Sequence, residues 1–182
     1  DLHSFPTRRS SDLEIYSRSK ARYKDDMSKG DVMQLAIGQG ATTVSPMHMN
    51  MITSAIANKG ILMKPYFVKK VETADGKVLE SYSPEEAKRL MSEEETRILT
   101  EMMIQVVQKG TATKLKGRSY TAAGKTGSAE FNSAKSDSHA WFTGFAPAED
   151  PKICVTVIVE DAGSGGSFAV PIAKKIFDAY LK

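Results

Sequence analysis

The sequence predicts an α+β fold, an antiparallel sheet covered by helices. Three strand-like runs follow one another without a helix between them: Tyr120 to Phe131, His139 to Phe145 and Lys152 to Glu160. Strands joined by short connections pair antiparallel. A strong amphipathic helix pattern precedes them and a second closes the chain, which gives a sheet with helices to bury its apolar side chains.

Taken in order, the elements have local causes. Residues 1–13, Asp-Leu-His-Ser-Phe-Pro-Thr-Arg-Arg-Ser-Ser-Asp-Leu, carry no helical or strand period. One reading frame of a common DNA-sequencing adapter translates to this string. The segment is therefore read as foreign, and 14–182 as the native domain, its upstream part missing. Glu14 to Gly30 is polar and reads as irregular, and Asp31 to Gly40 ends in the turn Ile37-Gly38-Gln39-Gly40. Ser45-Pro46 starts a helix, with serine as cap and proline in the first turn. Met47, Met51, Ile52, Ala55 and Ile56 then recur at helical spacing as far as Gly60. That spacing makes the methionines core rather than metal ligands. Tyr66 to Val71 and Lys77 to Tyr82 flank Asp75-Gly76, a hairpin signal. Ser92 to Glu95 is a capping box, followed by Ile98, Leu99, Met102, Met103, Val106 and Val107 on one helical stripe that stops at Gly110. Gly163 to Ser167 reads as a flexible turn. Ala169 to Leu181 reads as the closing helix, with Ile172, Ile176, Phe177 and Tyr180 on its face.

Composition bounds the function. The 182 residues are 41% hydrophobic and 26% charged, with a net charge of +3. One globular domain fits, and no basic patch argues for nucleic acid. No run approaches the ~20 apolar residues of a membrane span. Any membrane anchor is expected outside these residues. The one cysteine, Cys154, sits in the apolar run 153–159 and reads as a small buried hydrophobe. No cluster has metal-ligand spacing. His139 reads as strand packing, His48 as a helix-surface residue and Glu160-Asp161 as a solvated pair at a strand end. Trp141 reads equally as core or pocket wall.

Ala123 to Ser128 carries the chemistry. A phosphate-binding loop would need glycine five residues before Gly124, where Ser119 stands, and a helix after Thr126 rather than strand-like sequence. The second reading puts Lys125-Thr126-Gly127 on a strand at the edge of a serine acyl-transfer site. Lys125 would then supply positive field for a substrate carboxylate and for the departing serine proton. The hydroxyls of Thr126 and Ser128, on one face of the strand, would bind that carboxylate. Gly127 would let the substrate backbone come close, and the Ser128 N–H would serve as an oxyanion donor.

Beyond the triplet, His139-Ala140-Trp141-Phe142-Thr143-Gly144-Phe145, Ile37 to Gly40, Ser45-Pro46, Asn58-Lys59-Gly60, Gly110-Thr111-Ala112 and Ala169 to Ala173 stand in matching order. Together they resemble the transpeptidase domain of penicillin-binding proteins, most closely the monofunctional class B peptidoglycan D,D-transpeptidases. The likeness runs over nearly all of Asp31 to Lys182. It implies an incomplete penicillin-binding-protein/β-lactamase-like fold and a parent enzyme that cross-links stem peptides through an acyl-enzyme. It also implies acylation by β-lactams, no cofactor, and a place on the outer face of the cell membrane beside a membrane glycan polymerase. Lys-Thr-Gly-Ser replaces the family's common Lys-Thr-Gly-Thr and keeps both the hydroxyl and the N–H. The family's nucleophile lies in Ser-x-x-Lys and its second motif in Ser-x-Asn. Ser17-Arg18-Ser19-Lys20 spells the first but stands in a polar segment close to the Gly-Gln-Gly turn, and no Ser-x-Asn lies where one is needed. Both are expected upstream of this chain. A D,D-carboxypeptidase, a β-lactam-sensing domain and a non-catalytic interaction module are the alternatives.

Overall fold

A computed structural model describes residues 19, 25–40, 42–132 and 137–182. The segment 1–13 and Ser17 lie outside the described residues.

The first helix, α1 (Lys29–Ala36), falls where the sequence read as loop and turn. Ser28 caps it: Asp31 N–H donates to Ser28 Oγ at 3.1 Å, and the Asp31 carboxylate accepts the Ser28 N–H at 3.2 Å. None of its residues is buried, so it has no apolar stripe to betray it, only the box. Helix α2 (Pro46–Ala57) starts as predicted, with Ser45 Oγ accepting the His48 N–H at 3.1 Å. It buries Met51, Thr53 and Ala55. His48 is half-buried rather than on the surface. Gly60 ends this region at φ +86°, where a Cβ would overlap the Met91 carbonyl.

Two small sheets follow. β1 (Ile61–Met63) pairs antiparallel with β4 (Glu86–Arg89), and β2 (Lys70–Glu72) with β3 (Val78–Ser81). The second is the expected hairpin, shorter than the sequence suggested. The first pair was not legible, because β4 carries three charged residues and one alanine and is exposed along its length. Helix α3 (Glu93–Gln108) carries the predicted capping box, Glu95 N–H to Ser92 Oγ at 3.2 Å and Ser92 N–H to the Glu95 carboxylate at 2.7 Å. It buries Thr96, Met103 and Val107, while Ile98 and Met102 of the predicted stripe face solvent.

The main sheet joins β5 (Ala123–Asn132), β6 (Asp137–Ala146) and β7 (Ile153–Val159) in that order, all antiparallel. Its two faces differ. On one, Phe142, Val155 and Val157 meet Ala169, Val170, Ala173 and Phe177 of α4 (Gly165–Tyr180). On the other, Ala123, Phe145 and Cys154 pack with Ile56 of α2 and Met103 and Ile104 of α3.

Helix α4 departs from its prediction twice. It begins at Gly165, inside the stretch read as a flexible turn, because Ser164 caps it by accepting the Ser167 N–H at 3.3 Å. Its buried face is Ala169, Val170, Ala173 and Phe177, whereas Ile172, Ile176 and Tyr180 point outward. The small side chains of Ala169 and Ala173 let the helix lie close to the sheet, with Phe177 filling the space beside them. Pro171 stands inside this helix and cannot donate to the Ser167 carbonyl. The Lys114 ammonium takes that acceptor at 3.3 Å.

Phe177 is fully buried and meets Phe142 edge-on, ring centres 6.4 Å apart. Phe177→Ala should lower the urea-unfolding free energy by about 3–5 kcal/mol. Met102→Ala, at a residue 60% exposed, should change it by no more than about 0.5 kcal/mol.

Candidate active site

β5 pairs with β6 on one side and, among the described residues, with no strand on the other. Lys125 to Ser128 therefore lie on an open sheet edge, as the sequence predicted. Gly127 sits in mid-strand opposite Trp141 and not at the start of a helix, which removes the phosphate-loop reading.

Alternation sorts the side chains. Lys125 and Gly127 share a face with their partners Thr143 and Trp141, and this face looks toward α2. Thr126 and Ser128 share the opposite face with Phe142, toward α4. The backbone is sorted as well. Gln39, in the loop between α1 and α2, donates from Nε2 to the Ser128 carbonyl at 3.0 Å. The Lys125 ammonium donates to the Thr126 carbonyl at 2.6 Å. In an antiparallel pair one residue's N–H and C=O point to the same side, and alternate residues point away from the partner strand. Side chains, not a strand, reach the carbonyls of 126 and 128, so these residues turn their polar backbone groups outward. The Ser128 N–H accordingly faces the open edge.

That edge borders a cleft of about 230 Å³. Gln39, Val44, Met49, Trp141 and Thr143 line it together with Lys125–Ala129. Trp141 is thus a pocket wall. Lys125 and Ser128 are exposed, whereas Thr126 is 8% exposed and its hydroxyl is bonded to that of Thr111, in the loop after α3. Gly127 is held on both sides. A Cβ there would stand 3.3 Å from the Trp141 Cβ, and a Cβ on Gly165 of α4 would strike the Gly127 and Trp141 backbones. The glycine thus serves strand packing, in addition to the substrate approach expected of it.

Behind Lys125 runs a row of hydroxyls. Thr143 lies 2.7 Å from Thr53 of α2 and 2.7 Å from Thr156 of β7. Thr53 donates to the Met49 carbonyl at 2.9 Å, and Thr156 to Asn50 Oδ1 at 3.1 Å. The row ties α2 to the sheet directly beneath the cleft. Neutral hydroxyls there place no second charge beside the ammonium.

Other candidates fall away. Burial pushes the Cys154 thiol up to about 11, so it is neutral and non-nucleophilic at pH 7. His139 Nδ1 accepts the Asp161 N–H at 3.1 Å, a strand-end contact, and Glu160 and Asp161 are exposed. Among the described residues no group of His, Cys, Asp or Glu is placed to hold a metal. Nor is any helix there long and apolar enough to cross a membrane. Sequence reasoning did not single out Gln39, Thr111 or Thr143 as site residues. The glycines flanking Gln39 and preceding Thr111 were the available signal.

Residues 5–178 match the family model of the penicillin binding protein transpeptidase domain. The peptidoglycan D,D-transpeptidase PbpA of Mycolicibacterium smegmatis is 35% identical over 156 residues, covering 81% of this chain and 31% of that protein. The peptidoglycan D,D-transpeptidase MrdA of Haemophilus influenzae is 35% identical over 182 residues, covering 88% and 27%. Among solved structures, the penicillin G acyl-enzyme complex of penicillin-binding protein A from M. tuberculosis superposes with a TM-score of 0.74 at 31% identity. It covers 82% of this chain and 34% of that one. The chain thus spans about a third of the length of these relatives.

Thr53 is 2% exposed and leans on Thr143. Thr143→Val keeps the shape and removes one of the two hydrogen bonds of buried Thr53, leaving the one to the Met49 carbonyl. Urea unfolding should show a loss of about 0.5–1.5 kcal/mol, and Thr143→Ser a clearly smaller one.

Proposed function

The chain belongs to the penicillin-binding-protein transpeptidase family, and on that premise we propose that it supplies the Lys-Thr-Gly half of a serine D,D-transpeptidase site. The observation that carries the reading is the convergence on one open edge of the Lys125 ammonium, the outward Ser128 N–H and the paired hydroxyls of Thr126 and Ser128.

An extended peptide with a C-terminal carboxylate suits this edge. Its backbone can add alongside β5, as peptides add to other exposed strands. Its carboxylate meets the hydroxyls of Thr126 and Ser128 under the positive field of Lys125. A serine contributed from outside these residues attacks the carbonyl of the penultimate D-alanine. The oxyanion so formed takes a hydrogen bond from the Ser128 N–H, a fixed donor that needs no reorganisation as charge develops. Lys125 favours loss of the serine proton, because a nearby cation stabilises the alkoxide. The serine proton passes to a base supplied, like the serine, from outside these residues. Collapse expels terminal D-alanine as its amine takes that proton, and an acceptor amine on a second stem peptide resolves the acyl-enzyme, giving its own proton back to the serine. A β-lactam follows the same first step, its ring amide opening onto the serine.

The partners in this reading are stem peptides, β-lactams and, in the membrane, a glycan polymerase. The working place is the outer face of the cell membrane, reached through an anchor outside these residues. No cofactor enters the reaction.

The test is covalent labelling with a fluorescent penicillin. The chain made alone should form no stable adduct, since it provides the electrostatic half of the site without the serine. Joined to an upstream half bearing Ser-x-x-Lys, it should label. In that complete domain Lys125→Ala should slow acylation by at least ~10²-fold. Stoichiometric labelling of the chain alone, mapped to Ser17 or Ser128, would contradict the assignment.

A further inference from the structure

We propose that Thr111 is a positioning residue for the carboxylate: its hydroxyl donates to Thr126 Oγ1 and so leaves the Thr126 proton for the substrate. The inference rests on reading Thr126 as a carboxylate-binding hydroxyl, and it names the residue that gives that hydroxyl its direction.

A threonine hydroxyl has one proton and two acceptor lone pairs. If Thr126 spent its proton on Thr111, it would turn lone pairs toward an incoming carboxylate and repel it. If Thr111 donates instead, the Thr126 proton points to the anion. The two hydroxyls are in direct contact, which allows the second arrangement. Thr126 is 8% exposed and β-branched, so its side chain has little freedom to find another orientation.

Thr111 is itself fixed. The N–H groups of Gly110 and Ala112 both donate to the Val106 carbonyl at 3.1 Å, which folds the chain tightly after α3. Ala112 is completely buried. Gly166 of α4 rests against the Thr111 carbonyl, and a Cβ there would stand 2.5 Å from it. Yet the Thr111 residue is exposed to solvent. The exposed Thr111 residue completes no core of its own, but its bond gives the buried Thr126 hydroxyl a partner, so its loss costs some stability as well as direction. What the bond also does is hold a donor pattern beside the open edge of β5 before substrate arrives.

The chain contains a single tryptophan, Trp141, and it lines the cleft, so its fluorescence reports binding there. The probes are an N-acylated peptide ending in D-alanyl-D-alanine and the same peptide with a C-terminal amide. The unmodified chain should bind the acid more tightly than the amide. Thr111→Val should weaken binding of the acid about tenfold, leave the amide unchanged and keep the melting temperature within a few degrees. Thr111→Ser should restore the preference for the acid. If valine is not accommodated, Thr111→Ala is measured in its place, with the same result expected. An acid preference that survives loss of the hydroxyl overturns the role of Thr111 and leaves the function above intact. If the unmodified chain shows no preference, or binds neither peptide, the carboxylate reading of Thr126 and Ser128 fails, and the role of Thr111 falls with it.

Discussion

The site depends on β5 having, among the described residues, one neighbouring strand. A strand paired on both sides spends its N–H and C=O groups within the sheet, whereas an edge strand leaves every second residue open. Here the open residues are 126 and 128, whose carbonyls accept from Lys125 and Gln39. These two side chains cover part of a row that would otherwise invite pairing with any extended chain.

Helices pack on both faces of the sheet behind that edge. Helix α4 lies on one face, its first residue a glycine seated on the Gly127–Trp141 backbone pair. Helix α2 lies on the other, tied through Thr53, Thr143 and Thr156. At the far end Arg118 grips Asp178 of α4 with two nitrogens at 2.9 and 3.0 Å, and the Tyr120 hydroxyl joins at 2.8 Å. That clamp anchors the segment leading into β5. Cross-strand pairs and helix contacts thus fix the backbone, and the functional groups inherit their positions from it. Lys125 lies across from Thr143 of the hydroxyl row, and among the described residues no carboxylate is hydrogen-bonded to it.

Much of this was legible in the sequence, and the exceptions have physical causes. The starts of α2 and α3 were readable because Ser45-Pro46 and Ser92 to Glu95 cap in ways that need no tertiary partner. Strands β6 and β7 were readable from their apolar and aromatic content and β5 from its place beside them and its motif, and the edge position of Lys125 to Ser128 followed from substrate access. Helix α1 escaped because it buries nothing. The face of α4 was only partly judged right: Phe177 packs as expected, but Ile172, Ile176 and Tyr180 do not, and Ala169, Val170 and Ala173 complete the contact. Strand β4 escaped because backbone pairing to β1 defines it, with no apolar alternation. At the site, the motif residues could be named in advance. Gln39 and Thr111 could not, since each acts through a hydrogen bond to a residue far along the chain.

Docking of an extended peptide on the outward backbone of Ser128 is tested by site-resolved amide hydrogen exchange by NMR. In the free chain the Ser128 amide should exchange much faster than that of Gly127, which turns toward β6. An N-acylated peptide ending in D-alanyl-D-alanine should slow exchange at Ser128 and leave Gly127 as it was. A Ser128 amide already as protected as Gly127 before ligand, or ligand protection confined to another surface, would contradict the account.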